Sequence, residues 1–210
     1  MTTQTPVLPG PLELPRGRAR LEPLTRAHAP DLLHAAADDS IWLYMPAPTP
    51  RSEAEMLAII DAALAVRDTG AAYPFAVIDR SSGRAVGSTR YLVIEPAHRT
   101  LEIGWTWYGV NAQRTSINTE CKYLLMRHAF GAMWPGGANR VQLRTDARNQ
   151  RSRNAIQRAG AVFEGVLRKH WVMHNGYVRD TAFFSVIRDE WPAVKAALET
   201  RLRAGGIDPG

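Results

Sequence analysis

The chain has 210 residues, 45% of them apolar and 22% charged, enough for one domain with a real core. No apolar run approaches the roughly 20 residues a membrane-spanning helix needs. The Pro-rich start, MTTQTPVLPGPLELPRG, does not read as a secretion signal. The lone Cys121 excludes an intrachain disulfide and fits a reducing, cytoplasmic setting. Lys and Arg total 26 against 20 Asp and Glu, a net +6 with a pI near 9.9. That balance permits nucleic acid or an anionic cofactor as partner. The arginines are spread along the chain, with one local cluster at Arg148, Arg151, Arg153 and Arg158. This favours a local anionic site over a nucleic-acid arm.

In chain order, residues 1–18 read as a tail or loosely docked arm, and 20–24 alternate as a first strand. A helix is expected over 27–37, followed by an extended, proline-bound loop with Trp42 and Tyr44. These two aromatics either line a substrate mouth or cover core. Ser52 with Glu55 makes a capping box for a second helix, 53–66. Strands at 72–78 and 85–94 form a hairpin, and 100–108 is a third strand. Simple alternation puts Trp105 and Trp107 on one of its faces, opposite Glu102, Gly104 and Thr106.

A long helix over 117–133 buries a stripe at 117, 121, 124, 125, 128 and 132 and leaves Thr119, Glu120 and Lys122 polar. The Trp134-Pro135-Gly136-Gly137 run stops it. A strand at 140–145, a short basic helix at 149–158 and a hairpin of 162–172 with 177–187 follow. The last helix, 191–202, precedes a flexible tail at 204–210. Three successive strands make a meander, while strand-helix-strand over 100–145 requires a parallel crossover. The expected fold is α+β, a mixed, mostly antiparallel sheet of about seven strands with one parallel pair, in a single domain over 19–203.

The turn Gln113-Arg114-Thr115-Ser116-Ile117-Asn118-Thr119 joins a strand to a helix N-terminus, where unpaired amides and the peptide dipoles attract an anion. It lacks the glycines and lysine of a phosphate-binding P-loop. Capping of the helix by Ser116 or Asn118 is an equal reading of the turn alone. His170 and His174 lack the matching carboxylates of a metal site, so no metal is expected. Cys121 falls in the apolar stripe and reads as packed.

The string Asn149-Gln150-Arg151-Ser152, Ala159-Gly160-Ala161-Val162-Phe163-Glu164-Gly165, with Gly176, Arg179-Asp180 and Glu190-Trp191 downstream, resembles the closing motif of the GNAT N-acetyltransferases. Within them it is similar to the RimJ/RimL-like branch, whose name comes from enzymes acetylating ribosomal-protein N-termini. The resemblance implies acetyl transfer from acetyl-CoA, as cosubstrate, by direct attack of an amine. The acceptor would be a protein N-terminus or a small-molecule amine.

It further implies that Gln113 to Thr119 hold the pyrophosphate, with Ser116 and Asn118 standing where the family uses glycine. The backbone of Trp105, Thr106 and Trp107 would pair with pantetheine, as would Asn149. Arg151 and Arg153 would meet CoA phosphates. Glu102 takes the general-base position, with an ion-paired glutamate as the alternative, and Ser152 the general-acid position. The altered loop motivates a second class of function, a CoA- or acyl-CoA-binding module with little or no turnover. A nucleic-acid binder rests on charge alone. The Trp and Met content suits a homodimer surface.

Overall fold

The computed structural model describes residues 4–210; Met1, Thr2 and Thr3 of the expected arm lie outside the described residues. The strands are β1 (Leu12–Glu13), β2 (Ala19–Pro23), β3 (Ala72–Asp79), β4 (Arg84–Glu95), β5 (Thr100–Tyr108), β6 (Arg140–Asp146), β7 (Val162–Val172) and β8 (Val178–Ile187). The helices are α1 (Ala29–Ala35), α2 (Glu53–Asp68), α3 (Ile117–Gly131), α4 (Gln150–Arg158) and α5 (Trp191–Ala204). They build one sheet of order β1-β2-β3-β4-β5-β6-β8-β7. Every neighbouring pair is antiparallel except β5 and β6.

The sheet has eight strands rather than about seven because the arm supplies β1, with Leu12 opposite Leu21 and Glu13 opposite Arg20. The arm is also anchored elsewhere. Leu14 is fully buried, Tyr73 Oη donates to the Pro9 carbonyl at 3.0 Å, and the Val7 amide donates to the Met133 carbonyl at 2.8 Å.

Helix α2 begins as its cap predicts, with Ser52 Oγ accepting from the Glu55 amide at 3.2 Å. The return contact is displaced by one residue, since Glu55 Oε2 accepts from the Arg51 amide. Helix α3 starts at Ile117, and Ile117, Cys121, Leu124 and Leu125 are buried as the stripe requires. His128 is half-buried and Ala132 exposed, while Tyr123, Met126, Ala129 and Phe130 join the core. After the helix Gly137 takes φ +72. A Cβ there would lie 1.8 Å from the Phe130 carbonyl oxygen, so the chain can fold back there only as glycine.

Glu120 and Lys122, expected on a solvated face, are buried, because α3 is enclosed by the sheet, α5 and the docked arm. Glu120 Oε2 accepts from the Ala19 amide at 3.0 Å and its Oε1 from Ser116 Oγ at 2.7 Å. Removing that carboxylate orphans the buried Ala19 N–H. Glu120→Ala should therefore cost about 1–3 kcal/mol, read as a lower urea midpoint.

Strand β5 carries the feature that shapes the site. Arg90 pairs with Gly104 and Ser88 with Trp107, so Trp105 and Thr106 together oppose Thr89. Trp105 takes the left-handed φ of +49, the signature of a bulge. Ser88 and Arg90 share one face of β4, which puts Gly104 and Trp107 on one face as well. Simple alternation is therefore corrected. Trp107 joins the core beneath α1 and α2, against Trp42 at 5.3 Å, and Thr106 turns toward α3. The parallel pairing of β5 and β6 covers only Thr100–Glu102 with Arg140–Gln142. Past Glu102 the strands separate and leave an edge of β5 unpaired.

Candidate functional site

The parting strands open a cleft of about 500 Å³ bounded by β5, β6, the start of α3 and α4. At one end lies the turn before α3. The Gln113 amide is spent on Val110 and the Ile117 amide on Thr115 Oγ1. The amides of Arg114, Thr115, Ser116, Asn118 and Thr119 have no hydrogen-bond partner among the described residues. Unpaired amides at a helix start, in a cradle with an arginine, suit a phosphate.

The side chains of Gln113, Arg114, Thr115, Asn118 and Thr119 line the cleft. Ser116 and Ile117 do not. Ser116 Oγ is turned to Glu120, so Ser116 offers only its backbone, while Ile117, fully buried and with its amide spent on Thr115 Oγ1, offers the anion no donor. The left-handed position that would favour glycine is Arg114, φ +60, whereas Ser116 is helical at φ −66.

Helix α4 closes the opposite wall. Asn149 Oδ1 accepts from the Ser152 amide at 3.0 Å and so caps the helix. Arg151 Nη1 donates to Gln113 Oε1 at 2.9 Å, and Gln113 Nε2 donates to the Tyr108 carbonyl at 2.9 Å. This relay ties α4 to the loop before α3. Ser152 lines the cleft, and its Oγ has no hydrogen-bond partner among the described residues. Arg153 lies outside the cleft wall, donating to the Ala147 carbonyl at 3.1 Å and covering the Phe163 ring. Arg158 and Arg201 line the cleft instead. Tyr44 lies at the mouth, while Trp42 covers core and donates its indole N–H to the Ala36 carbonyl.

Glu102 lies at the other end, 2% exposed. Its Oε1 accepts from Arg144 Nε at 2.9 Å and its Oε2 from Gln142 Nε2 at 3.2 Å. Burial raises the carboxyl above its ordinary range, with Arg144 and Gln142 acting against the rise. Gly104 leaves room for it, since a Cβ there would come within 2.7 Å of Glu102 Oε1.

Sequence reading did not single out Lys122, Arg144 or Arg179 for this cleft, although all three line it. The one available signal was a lysine inside an otherwise apolar helix stretch. Lys122 Nζ donates to Thr106 Oγ1 at 2.8 Å, and burial lowers it from 10.5 to about 8. Between those values the unfolded chain holds a proton that the folded chain has released, so this group makes stability rise with pH across that window. The buried Cys121 thiol, pushed up to about 12, acts in the opposite sense above about pH 9, so the Lys122 share is read as a difference. In urea unfolding from pH 8 to 10.5, stability of wild type relative to Lys122→Met should rise, by up to roughly 3 kcal/mol.

Cys121 is fully buried and its thiol is pushed up to about 12, which removes it as a nucleophile. His170 Nδ1 meets Thr181 Oγ1 at 3.1 Å. Among the described residues no group of three or more His, Cys, Asp or Glu gathers to hold a metal ion. Among the described residues no helix is long and apolar enough to cross a membrane.

The sequence matches the family described as "Acetyltransferase (GNAT) domain" over residues 18–162. Among solved structures, a GCN5-related N-acetyltransferase from Brucella melitensis is similar at 32% identity. The match covers 93% of this chain and 87% of that one, with a TM-score of 0.83. A protein from T. thermophilus carrying the acetyltransferase designation is 36% identical over 93% of this chain and 98% of its own, at TM-score 0.83. Mycobacterium smegmatis RimJ, crystallised with CoA-disulfide, shares the fold at 23% identity over 97% and 98% of the two chains, at TM-score 0.77. No curated protein sequence matches the chain.

Proposed function

The chain belongs to the GNAT acetyltransferase family, and we propose that it moves the acetyl group of acetyl-CoA to a primary amine in the cytoplasm. One observation carries this reading. The unpartnered amides at the start of α3 and the buried carboxylate of Glu102 open onto the two ends of a single cleft. A pyrophosphate fits the first end, where Arg114 and Arg151 add charge. Acetyl-CoA, when bound, supplies an acetyl group already activated as a thioester.

The chain's own groups then have distinct tasks. The unpaired edge of β5 at Trp105, Thr106 and Trp107 presents backbone groups along the cleft for an extended pantetheine arm. Its amides give fixed donors where negative charge would develop. The free side of the Asn149 amide faces the same arm. Glu102 accepts the proton lost by the amine nitrogen as that nitrogen bonds to the acetyl carbon. As the tetrahedral adduct collapses and the C–S bond breaks, Ser152 Oγ–H, without a hydrogen-bond partner among the described residues, gives a proton to the departing sulfur and regains one from solvent. Arg153, held on Ala147 and Phe163, takes at most a peripheral part.

The closing motif and the fold shared with RimJ support a RimJ/RimL-like assignment, with a protein α-amine or a small amine as acceptor. Calorimetry with acetyl-CoA followed by a thiol-release assay over an amine panel tests the proposal. Binding together with CoA release on at least one amine is expected. Tight binding without release on any amine would leave a CoA-binding module.

A further inference from the structure

The charges around the cleft do not balance. Glu102 is the one carboxylate among its described lining residues. Arg114 and Arg151 stand with the loop that would take the pyrophosphate, Arg151 through its bond to Gln113. At the Glu102 end, far from any phosphate role, stand Arg144 on β6 and Arg179 on β8. Arg144 is committed to Glu102 and lies over the Trp171 ring at 4.9 Å.

Arg179 is different. It is only 7% exposed, and its Nε donates to Thr181 Oγ1 at 3.0 Å. It makes no ion pair among the described residues. The nearby acid, Asp146, is itself held by Arg148, with Nε on Oδ1 at 3.1 Å and Nη2 on Oδ2 at 3.0 Å. Glu102, the other carboxylate that acts on it, is held by Arg144. A buried guanidinium whose neighbouring carboxylates are each taken by another arginine is costly, and an anion brought to it offsets that cost.

We propose that the acceptor is an anionic amine, a primary amine carrying a carboxylate or phosphate that Arg179 receives while the nitrogen lies toward Glu102. The position of the acceptor rests on the transferase reading above. The same field works on the nitrogen. Arg144, Arg179 and Lys122 surround the one carboxylate, so an ammonium is disfavoured there and the neutral, nucleophilic amine is favoured. Polycationic amines are repelled for the same reason.

The test uses matched pairs that differ in the anion alone: Ala-Glu amide against Ala-Gln amide, and glucosamine 6-phosphate against glucosamine. Turnover of each is measured by CoA release. Binding of each N-acetylated product to the CoA-loaded protein is measured by calorimetry. The anionic member of at least one pair should bind at least tenfold tighter. Arg179→Gln should erase the preference and Arg179→Lys should keep part of it, with acetyl-CoA affinity and circular dichroism reporting that the variants fold. The pair that responds tells carboxylate from phosphate. Equal affinities within both pairs, tighter binding of the neutral members, or no binding of any member overturns the proposal. An anion preference in binding with no CoA release from any amine keeps the anion site and overturns the transferase reading instead.

Discussion

Glu102→Gln is expected to lower kcat by about 10²- to 10⁴-fold, the usual worth of a positioned general base. The change is isosteric. A glutamine oxygen still accepts from Arg144 Nε, and the amide of Gln142 can turn to meet the new NH₂, so the hydrogen-bonded frame around the site survives. What disappears is the capacity to take a proton. A carboxylate must be ionised to do so, and burial raises the pKa of Glu102. Wild-type kcat/KM should therefore climb with pH along a limb set above the ordinary carboxylate range. That limb should be missing from the variant.

The size of the loss also reports on the acceptor. An α-amine, with pKa about 7.7–8.0, is partly neutral near pH 7, whereas a lysine at about 10.4 depends far more on a base. Steady-state rates from pH 5 to 9 on one responsive amine decide the matter. A variant that retains nearly full kcat near neutral pH would show that the buried Glu102–Arg144 pair is structural.

How much of this was legible in the sequence depends on the range of the interactions involved. Strand β5 and the start of α3 fall at the residues that local alternation and the polar turn mark, because those signals act within one element. The parallel crossover followed from the strand-helix-strand order over 100–145. The bulge did not, since it places a left-handed φ on Trp105, a residue type that carries no such signal. One unmarked residue then reassigns the faces of Thr106 and Trp107.

Glu120 and Lys122 look like surface residues in the sequence because their partners, the Ala19 amide and Thr106 Oγ1, are remote along the chain. The arm was legible only as a tail or a loosely docked segment, and its strand was not, because its partners Leu21, Tyr73 and Met133 are remote as well. The cleft was legible at its phosphate end, which lies within one contiguous turn. At its other end only Glu102 was marked, through the family resemblance; Arg144 and Arg179 escaped notice because they come from two other strands and meet Glu102 only in the folded sheet.

Asn118→Pro should weaken acetyl-CoA binding at least about tenfold while leaving the fold intact. Asn118 is the second residue of α3, and its amide has no partner among the described residues. Replacing it with proline therefore removes no helical hydrogen bond. The chain already accepts proline at this position of a helix, with Pro30 second in α1 and Pro192 second in α5. The loss falls on an amide directed at the pyrophosphate. A hydrogen bond to a charged group is worth roughly 1.5–3 kcal/mol, and each 1.4 kcal/mol is about tenfold in Kd. Asn118→Ala keeps the N–H and removes only the side chain, so the gap between the two variants isolates the backbone contribution. Arg114→Ala should act differently. It deletes an exposed charge, so its effect should be smaller and should fade as salt rises. Calorimetric Kd values for the three variants at low and high salt separate these contributions. A proline variant with native circular dichroism and unchanged affinity would mean that the start of α3 does not hold the cofactor, and the phosphate end of the cleft would have to be sought along α4.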